Sequence, residues 1–276
     1  MSIIIGIDAG IHSTKIVGLK NGTFTMEPLS VKSEDYLSSI YGALGKFIHM
    51  HEIKLEEIEQ INLTGVGSLA MDAPPFNLPT LRVDEFIANG LGARFASGLD
   101  HMIVVSMGTG TSLVRVEGDE IKHIGGLGLG GGTLQGLSKL MLNISDVEEL
   151  GNKSFLGIPE LVTLQVRDVC QQEIAGLPSD ATVSLFGKDS GVEPGKADIA
   201  IGLIQMVFET IGCCAVHSQN NGGMKDFVLI GGLTRLEQGI EVFNKLEEIY
   251  GVKFHLPDYA PYCTALGAAL SSKYEN

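Results

Sequence analysis

The sequence predicts an α/β protein of two related lobes. Strands alternate with helices along most of its 276 residues, an order that is typical of layered α/β folds. Two apolar strands, at 2–8 and 103–106, each run into a turn of small residues, and each turn is followed by a hairpin. The order of strand, turn and hairpin is repeated, whereas the residue identities are not. This repeat predicts two lobes with the same arrangement of elements.

The first lobe is predicted over residues 1–98. Its hairpin is indicated by Asn21-Gly22, a dipeptide favoured in tight turns between strands. A helix is predicted over 33–50, because its apolar residues recur at helical spacing. The lobe is completed by a strand at 60–65 and a helix at 85–95.

The second lobe is predicted over residues 99–276. Its hairpin pairs 112–117 with 121–124. A long helix at 196–219 carries apolar residues along one stripe. The other predicted helices are at 133–143, 159–172, 237–250 and 262–273, the other strands are at 226–230 and 252–256, and a loop-rich stretch lies at 176–195.

Composition and charge limit the classes of partner. Hydrophobic residues make up 44% of the chain and charged residues 19%, an ordinary composition for a globular protein. The net charge of -14 disfavours nucleic acid and anionic membranes as partners, so a bound phosphate must be held by local N–H groups, one or two cations and a metal ion. No apolar run reaches the ~18 residues of a membrane span, and no basic-then-apolar leader is present, so we expect a cytoplasmic protein.

The four cysteines, Cys170, Cys213, Cys214 and Cys263, form no C-x-x-C pair. The spacing of a metal or iron–sulfur site is therefore absent. Free thiols fit a reducing compartment.

The first turn combines a carboxylate, glycine, hydroxyl groups and a cation. Asp8 ends the strand at 2–8, and it is followed by Gly10, Ser13, Thr14 and Lys15. A carboxylate in this place can hold a hydrated Mg²⁺ beside a triphosphate, and small residues let backbone N–H groups approach a phosphate. A turn aspartate with a solvated lysine would produce the same pattern. The sequence leaves both interpretations open.

Two later segments are also rich in glycine. The turn Gly108-Thr109-Gly110-Thr111-Ser112 supplies flexible backbone and three hydroxyls, although a tight hairpin turn has the same composition. The run Gly125–Gly132 leads into the predicted helix at 133–143, whose N-terminus favours anions. No G-x-x-x-x-G-K-[ST] motif occurs, which excludes a P-loop.

Asp84 and Glu85 precede an apolar helical run. Acidic residues are favoured at a helix start by the helix dipole, whereas a general base in this place would take a proton from an attacking hydroxyl. Periodicity does not decide between these two roles. For His123, beside the glycine run, a structural role is the commoner one.

Together with these turns, several further segments form a set of motifs that follow one another in a fixed order along the chain. These segments are Leu63-Thr64-Gly65, 85–92, 125–137, Leu185-Phe186-Gly187, Gly231-Gly232 and 265–268. The set resembles the two-lobed ATP-binding proteins of the actin, hexokinase and Hsp70 superfamily, and within it the type II pantothenate kinases. The likeness covers nearly the whole chain. It implies an actin-like, ribonuclease H-like α/β fold with a duplicated mixed sheet flanked by helices.

The resemblance also implies a reaction and a set of site residues. The reaction is phosphorylation of pantothenate to 4'-phosphopantothenate by ATP with Mg²⁺, the first step of coenzyme A biosynthesis. Glu85 would be the general base, Asp8 the metal ligand, and His123 and Gly125 would join Glu85 at the acceptor. A homodimer through the helix at 196–219 is implied as well. The implied nucleotide-binding residues are Asp8, Gly10, Ser13, Thr14, Lys15, Gly108, Thr109, Gly110, Thr111, Gly131, Gly132, Thr133, Leu134, Gln135, Gly231 and Gly232.

Two departures from the family pattern leave other functions open. Ile11 and His12 stand where the family commonly has a glycine and a threonine, and Ser13 and Thr14 are expected to replace the lost hydroxyl. Lys122-His123 stands where an arginine that contacts pantothenate is expected. One alternative is therefore a sugar-type kinase of the same superfamily. The others are an ATP-dependent activator of acyl-CoA dehydratases, which holds an iron–sulfur cluster through paired cysteines, and a regulatory ATP-binding module without turnover.

Overall fold

Two mixed sheets form the centres of the two lobes. The computed structural model describes residues 2–33, 35–170, 172, 176–219 and 223–271. The strands are β1 (Ile3–Ala9), β2 (Ser13–Lys20), β3 (Thr23–Phe24), β4 (Leu29–Lys32), β5 (Ile58–Thr64), β6 (Thr80–Arg82), β7 (His101–Met107), β8 (Thr111–Glu117), β9 (Glu120–Leu127), β10 (Leu164–Gln165), β11 (Thr182–Ser184), β12 (Asp226–Ile230) and β13 (Lys253–His255). The helices are α1 (Tyr36–Met50), α2 (Glu85–Ser97), α3 (Gly131–Leu142), α4 (Val147–Ser154), α5 (Val166–Val169), α6 (Lys196–His217), α7 (Glu237–Tyr250) and α8 (Cys263–Ser271).

The two sheets have the same topology. In the first, β1 pairs antiparallel with β2 and parallel with β5, and the order is β3-β2-β1-β5-β6, with β4 also paired to β2. In the second, β7 takes the place of β1, and the order is β9-β8-β7-β12-β13. The predicted duplication is thereby confirmed. Because the carboxyl ends of parallel strands meet at one edge of a sheet, the turns after β1, β5, β7 and β12 lie at the edges where open α/β sheets bind ligands.

Most predicted elements are confirmed, and one helix is wrong. The strand at 226–230 and the helix at 237–250 have the predicted bounds. The segment 159–172, predicted as one helix, instead contains a 3₁₀ turn, the strand β10 and the four-residue helix α5. Pairing of β10 with β11 is a tertiary contact that overrides local periodicity there. The sequence analysis missed β4, β6, β11 and α4. Positions 34, 171, 272 and 273 of predicted helices lie outside the described residues.

Helices α2 and α8 lie between the two sheets. Ala265 and Ala269 of α8 pack against Val17 of the first sheet. Ala93 of α2 packs against Val104 of the second sheet. The opposite face of the first sheet is covered by α1, and that of the second by α6 and α7. The division of the lobes at residues 98 and 99 stays a prediction.

The crossing of α2 and α8 depends on two glycines. A β-carbon on Gly267 would lie 1.7 Å from the carbonyl oxygen of Ala88. A β-carbon on Gly92 would lie 1.8 Å from the carbonyl oxygen of Cys263. Both positions therefore exclude any side chain while the helices keep this distance.

Helix α6 belongs to the core of the second lobe. Leu203, Ile204 and Val207 of its predicted apolar stripe are at most 1% exposed. Within the described ranges, α6 is the one helix whose length and composition would allow it to cross a membrane. Its packing against α3, α4 and α7 accounts for that apolar composition.

Candidate active site

A cleft of about 760 Å³ lies between the two lobes. It is lined by residues that follow β1, β7 and β12, together with the start of α2. The two turns of small residues therefore face one cavity. The predicted site residues that line it are Asp8, Gly10, Ser13, Lys15, Glu85, Gly108, Thr109, Gly110, Thr111, Gly131, Gln135, Gly231 and Gly232.

Asp8 and Lys15 form a shielded ion pair at the first turn. The two residues are direct partners in the β1–β2 ladder. Lys15 Nζ lies 3.3 Å from Asp8 Oδ2, and the side chains are only 12% and 10% exposed. Because successive side chains of a strand point to opposite faces, Ser13 and Lys15 face the cleft and Thr14 does not. Thr14 is fully buried, and its Oγ1 lies 2.8 Å from Ser39 Oγ.

Gly65, after β5, keeps the Asp8 carboxylate accessible. Its φ is +80°, a conformation that favours glycine. A β-carbon there would lie 2.8 Å from Asp8 Oδ1 and 2.7 Å from the carbonyl oxygen of Ala9. Glycine therefore leaves room for that carboxylate oxygen at the edge of the cleft.

Glu85 is the first residue of α2 and faces the cleft. Asp84 is the N-cap, since its Oδ1 accepts the N–H groups of Phe86 and Ile87. Capping therefore does not require the Glu85 carboxylate. Burial raises the pKa of Glu85, as does the negative charge of Asp8, whereas Lys15 lowers it. A raised carboxyl pKa in a cleft is typical of a general acid or base.

The second turn is held against the start of α3. The carbonyl oxygen of Gly108 accepts the N–H of Gly131 at 2.8 Å, and that of Thr109 accepts the N–H of Gly132 at 2.9 Å. Thr111 Oγ1 donates to the carbonyl oxygen of Leu129 at 2.8 Å. These bonds make the start of α3 a support for the turn.

The next residues of α3 have other contacts. Leu134 is fully buried in the core of the second lobe. Thr133 Oγ1 donates to the carbonyl oxygen of Gly128 at 3.1 Å. Gln135 lines the cleft, and its Nε2 donates to the carbonyl oxygen of Ser145 at 2.8 Å. Gly132, Thr133 and Leu134 lie outside the lining of the cleft.

Gly231, the first glycine of the pair after β12, approaches the end of β7 closely. Gly231 has a φ of +97°, and a β-carbon on it would lie 2.4 Å from the carbonyl oxygen of Met107. Arg235 lines the cleft a few residues later, and its Nη2 donates to the Tyr262 hydroxyl at 3.1 Å. Gly231 thus leaves no side chain between the ends of β7 and β12, and both glycines line the cleft.

His123 and Gly125 lie on β9, outside the lining of the cleft. The His123 ring stacks on Phe86, with centroids 3.9 Å apart and planes inclined by 16°. Phe86 follows Glu85 in α2, so His123 is placed beside the start of the helix that carries this carboxylate.

Several lining residues were not among the predicted site residues. Asp146 caps α4, because its Oδ1 accepts the N–H groups of Glu148 and Glu149. The pattern Ser145-Asp146 before two glutamates is a helix-start signal that could have revealed α4. The unpredicted lining residues are Ile11, His12, Gly65, Val66, Ser106, Ser112, Leu127, Ser145, Asp146, Val147, Glu148, Leu233, Arg235, Leu236 and Thr264.

The donor set fits a metal ion carried by a nucleotide. Among the described residues, no group of three or more histidine, cysteine or carboxylate side chains could hold a metal. Mg²⁺ bound with phosphates needs only one or two carboxylates, since phosphate oxygens and water complete its shell. Asp8, next to the cleft, meets that requirement. All four cysteines are free, and burial raises the pKa of Cys263 to about 12.

The chain is similar to known proteins in both sequence and structure. The profile of the Fumble family matches residues 99–271. The type II pantothenate kinase of Staphylococcus epidermidis is 28% identical over 225 residues, which are 77% of this chain and 83% of that protein. The activator of the 2-hydroxyisocaproyl-CoA dehydratase from Clostridium difficile, solved with bound ADPNP, has a TM-score of 0.71 and 17% identity over 99% of this chain and 95% of its own. The ROK hexokinase from Thermus thermophilus has a TM-score of 0.57 and 14% identity over 99% of each chain.

These two solved structures have the actin-like ATPase fold, so the predicted fold class is confirmed. Identities this low establish the fold alone. The Fumble profile covers more than half of the chain and includes the second turn, the start of α3 and the glycine pair. The chain therefore belongs to the Fumble family.

Proposed function

We propose that the protein is an ATP-dependent kinase that phosphorylates pantothenate to 4'-phosphopantothenate, the first step of coenzyme A biosynthesis. The observation that carries the proposal is Glu85, a carboxyl group with a raised pKa at a cleft lined by two turns of small residues. The similarity to a type II pantothenate kinase supports pantothenate as the acceptor.

The chain's own residues account for the transfer. The turns at 8–15 and 108–112 hold the phosphate chain from opposite lobes, and Gly231 and Gly232 lie near the adenosine. Glu85 accepts the proton of the acceptor hydroxyl, whose oxygen bonds to the γ-phosphorus as the bond to the β–γ bridging oxygen breaks and ADP leaves. His123 and Gly125 belong to the acceptor side. Closure of the lobes excludes water.

Asp8 is the proposed ligand of Mg²⁺, which when bound neutralises charge on the phosphates. For Asp8→Asn we expect the apparent Mg²⁺ affinity to fall about tenfold or more, because the amide lacks the negative charge of the carboxylate. Initial rates against Mg²⁺ at fixed ATP measure this effect. Asp72→Asn, an exposed residue outside the cleft, is the control. An unchanged Mg²⁺ dependence in Asp8→Asn would contradict the assignment.

The pH dependence of turnover reports on Glu85. A general base works in its deprotonated form, and Glu85 has a raised pKa, so activity is expected to fall on the acid side at a pH above the ordinary glutamate pKa of about 4.3. Lys15→Met removes the charge that lowers this pKa, so the acid limb of kcat/KM should move to higher pH. Asp8→Asn removes a charge that raises it and should move the limb to lower pH. If the acid limb of kcat/KM lies at the same pH in both variants as in the wild type, Glu85 is not the group whose protonation causes it.

We also propose a cytoplasmic homodimer that uses α6. The apolar stripe of α6 is occupied by the core of its own lobe. A second copy would therefore contact residues of α6 that are only half-buried, such as Met206, Thr210 and Cys213. Sedimentation velocity of the purified protein measures the assembly state, and a monomer at working concentrations would remove this part of the proposal.

The reaction is tested by ATP consumption with and without pantothenate, with the mass of the product determined. Pantothenate-dependent consumption with formation of phosphopantothenate is the expected result. An N-acetylhexosamine serves as the parallel acceptor. Consumption with the sugar alone would identify a sugar-type kinase, and nucleotide binding without turnover of either acceptor would indicate a regulatory module.

A further inference from the structure

His12 connects the two turns across the cleft. Its Nδ1 lies 2.9 Å from Thr109 Oγ1, a contact between residues 97 positions apart in the chain. Both residues line the cleft, and the His12 side chain is exposed there. A ring that reaches from the first turn to the second occupies the space that a phosphate chain held by both turns would enter.

The structure also narrows the choice of residues that can replace the missing threonine hydroxyl. Thr14 is buried on the opposite face of β2, where its hydroxyl is paired with Ser39. Ser13 faces the cleft, and so does His12. The imidazole reaches farther from the backbone than a serine hydroxyl does, and it is the side chain that contacts the opposite turn.

The negative charge of the cleft means that bound phosphates need a further nitrogen donor between the turns. Four carboxylates line the cavity: Asp8, Glu85, Asp146 and Glu148. Of the cations there, Lys15 is paired with Asp8, and Arg235 contacts Tyr262 beyond the glycine pair. A chain of phosphates between the turns therefore meets the imidazole of His12 as a neighbouring donor of hydrogen bonds.

We propose that His12 is a positioning residue that contacts the terminal phosphates of bound ATP and bridges the two turns through Thr109 when no nucleotide is present. The inference rests on the proposed function, because it requires ATP in this cleft. On binding, the imidazole exchanges its hydrogen bond with the Thr109 hydroxyl for one with a phosphate oxygen.

The experiment compares ADPNP with adenosine as ligands of the full chain in the presence of Mg²⁺. For His12→Ala, calorimetry should show ADPNP binding weakened about tenfold, the factor that one hydrogen bond to a charged group contributes, and adenosine binding unchanged. His12→Asn keeps a short side chain with a nitrogen donor and should recover most of the loss. His101→Ala, an exposed histidine at the far end of β7, should bind both ligands as the wild type does.

Three results would overturn the inference. The first is ADPNP binding by His12→Ala equal to that of the wild type. The second is a similar loss of affinity for adenosine and for ADPNP, which would leave His12 only as a contact between lobes. The third is the absence of ADPNP binding by the wild type. If the wild type binds ADPNP but does not phosphorylate pantothenate, the proposed acceptor fails and the inference about His12 stands or falls on the binding data. Thermal melting of each variant is the check that the fold is retained.

Discussion

Glu85→Gln is expected to lower kcat by a factor of about 10² or more while ATP binding stays close to that of the wild type. Glutamine keeps the size of the side chain but cannot accept the proton of the acceptor hydroxyl. Glu85 begins α2 at the cleft, whereas the N–H groups of this helix start are capped by Asp84, so the substitution leaves helix capping intact. Steady-state rates with pantothenate and calorimetry with ADPNP separate the two effects.

A loss of stability would be a competing explanation for lower activity, and the direction of the Glu85 pKa shift argues against it. The pKa of Glu85 is raised in the folded state, so the charged carboxylate is disfavoured there relative to the unfolded chain. This cost is absent below the unfolded pKa and grows as the pH rises through the folded pKa. Glu85→Gln should therefore melt at neutral pH at the same temperature as the wild type or higher.

Asp84→Asn is the matched control for the substitution of Glu85. Asparagine caps helices as well as aspartate does, so this variant removes a neighbouring charge without removing the cap. Its turnover should stay near that of the wild type. Near-normal turnover in Glu85→Gln would remove Glu85 from the mechanism.

Gly267→Ala is expected to destabilise the fold by about 3 kcal/mol or more, at the upper end of the range for overpacking. The added methyl group would lie 1.7 Å from the carbonyl oxygen of Ala88, a backbone atom that cannot rotate away. Relief of this overlap requires α8 to separate from α2, and these helices pack against different sheets. Denaturant unfolding monitored by circular dichroism measures the change in the free energy of unfolding.

Gly42→Ala is the control for this prediction. Gly42 lies within α1, it is exposed, and a β-carbon there would meet no atom within 4 Å. Alanine should stabilise the helix at this position by about 0.5–1 kcal/mol. Equal stability of Gly267→Ala and Gly42→Ala would show that the crossing of α2 and α8 adjusts easily and would contradict the prediction.

Local sequence signals were sufficient to predict most of the helices and strands and the two-lobed architecture. A buried strand followed by small residues is a pattern of adjacent residues, and it identified β1 and β7 with their turns. Repetition of the pattern then predicted the two sheets of equal topology. The error at 159–172 arose where periodicity resembled that of a helix, whereas β10 pairs with β11, a strand that lies beyond this segment.

Side-chain placement within the site depended on packing between distant segments. Thr14 belongs to the same motif as Lys15, yet the burial of one face of β2 under α1 directs its hydroxyl to Ser39. The contact of His12 with Thr109 and the crossing at Gly92 and Gly267 join residues far apart along the chain. Sequence patterns report neighbours within a strand or a helix turn, whereas these contacts arise only when segments far apart along the chain pack against each other. For this reason the motifs of the cleft were readable in the sequence, and the partners of their side chains were not.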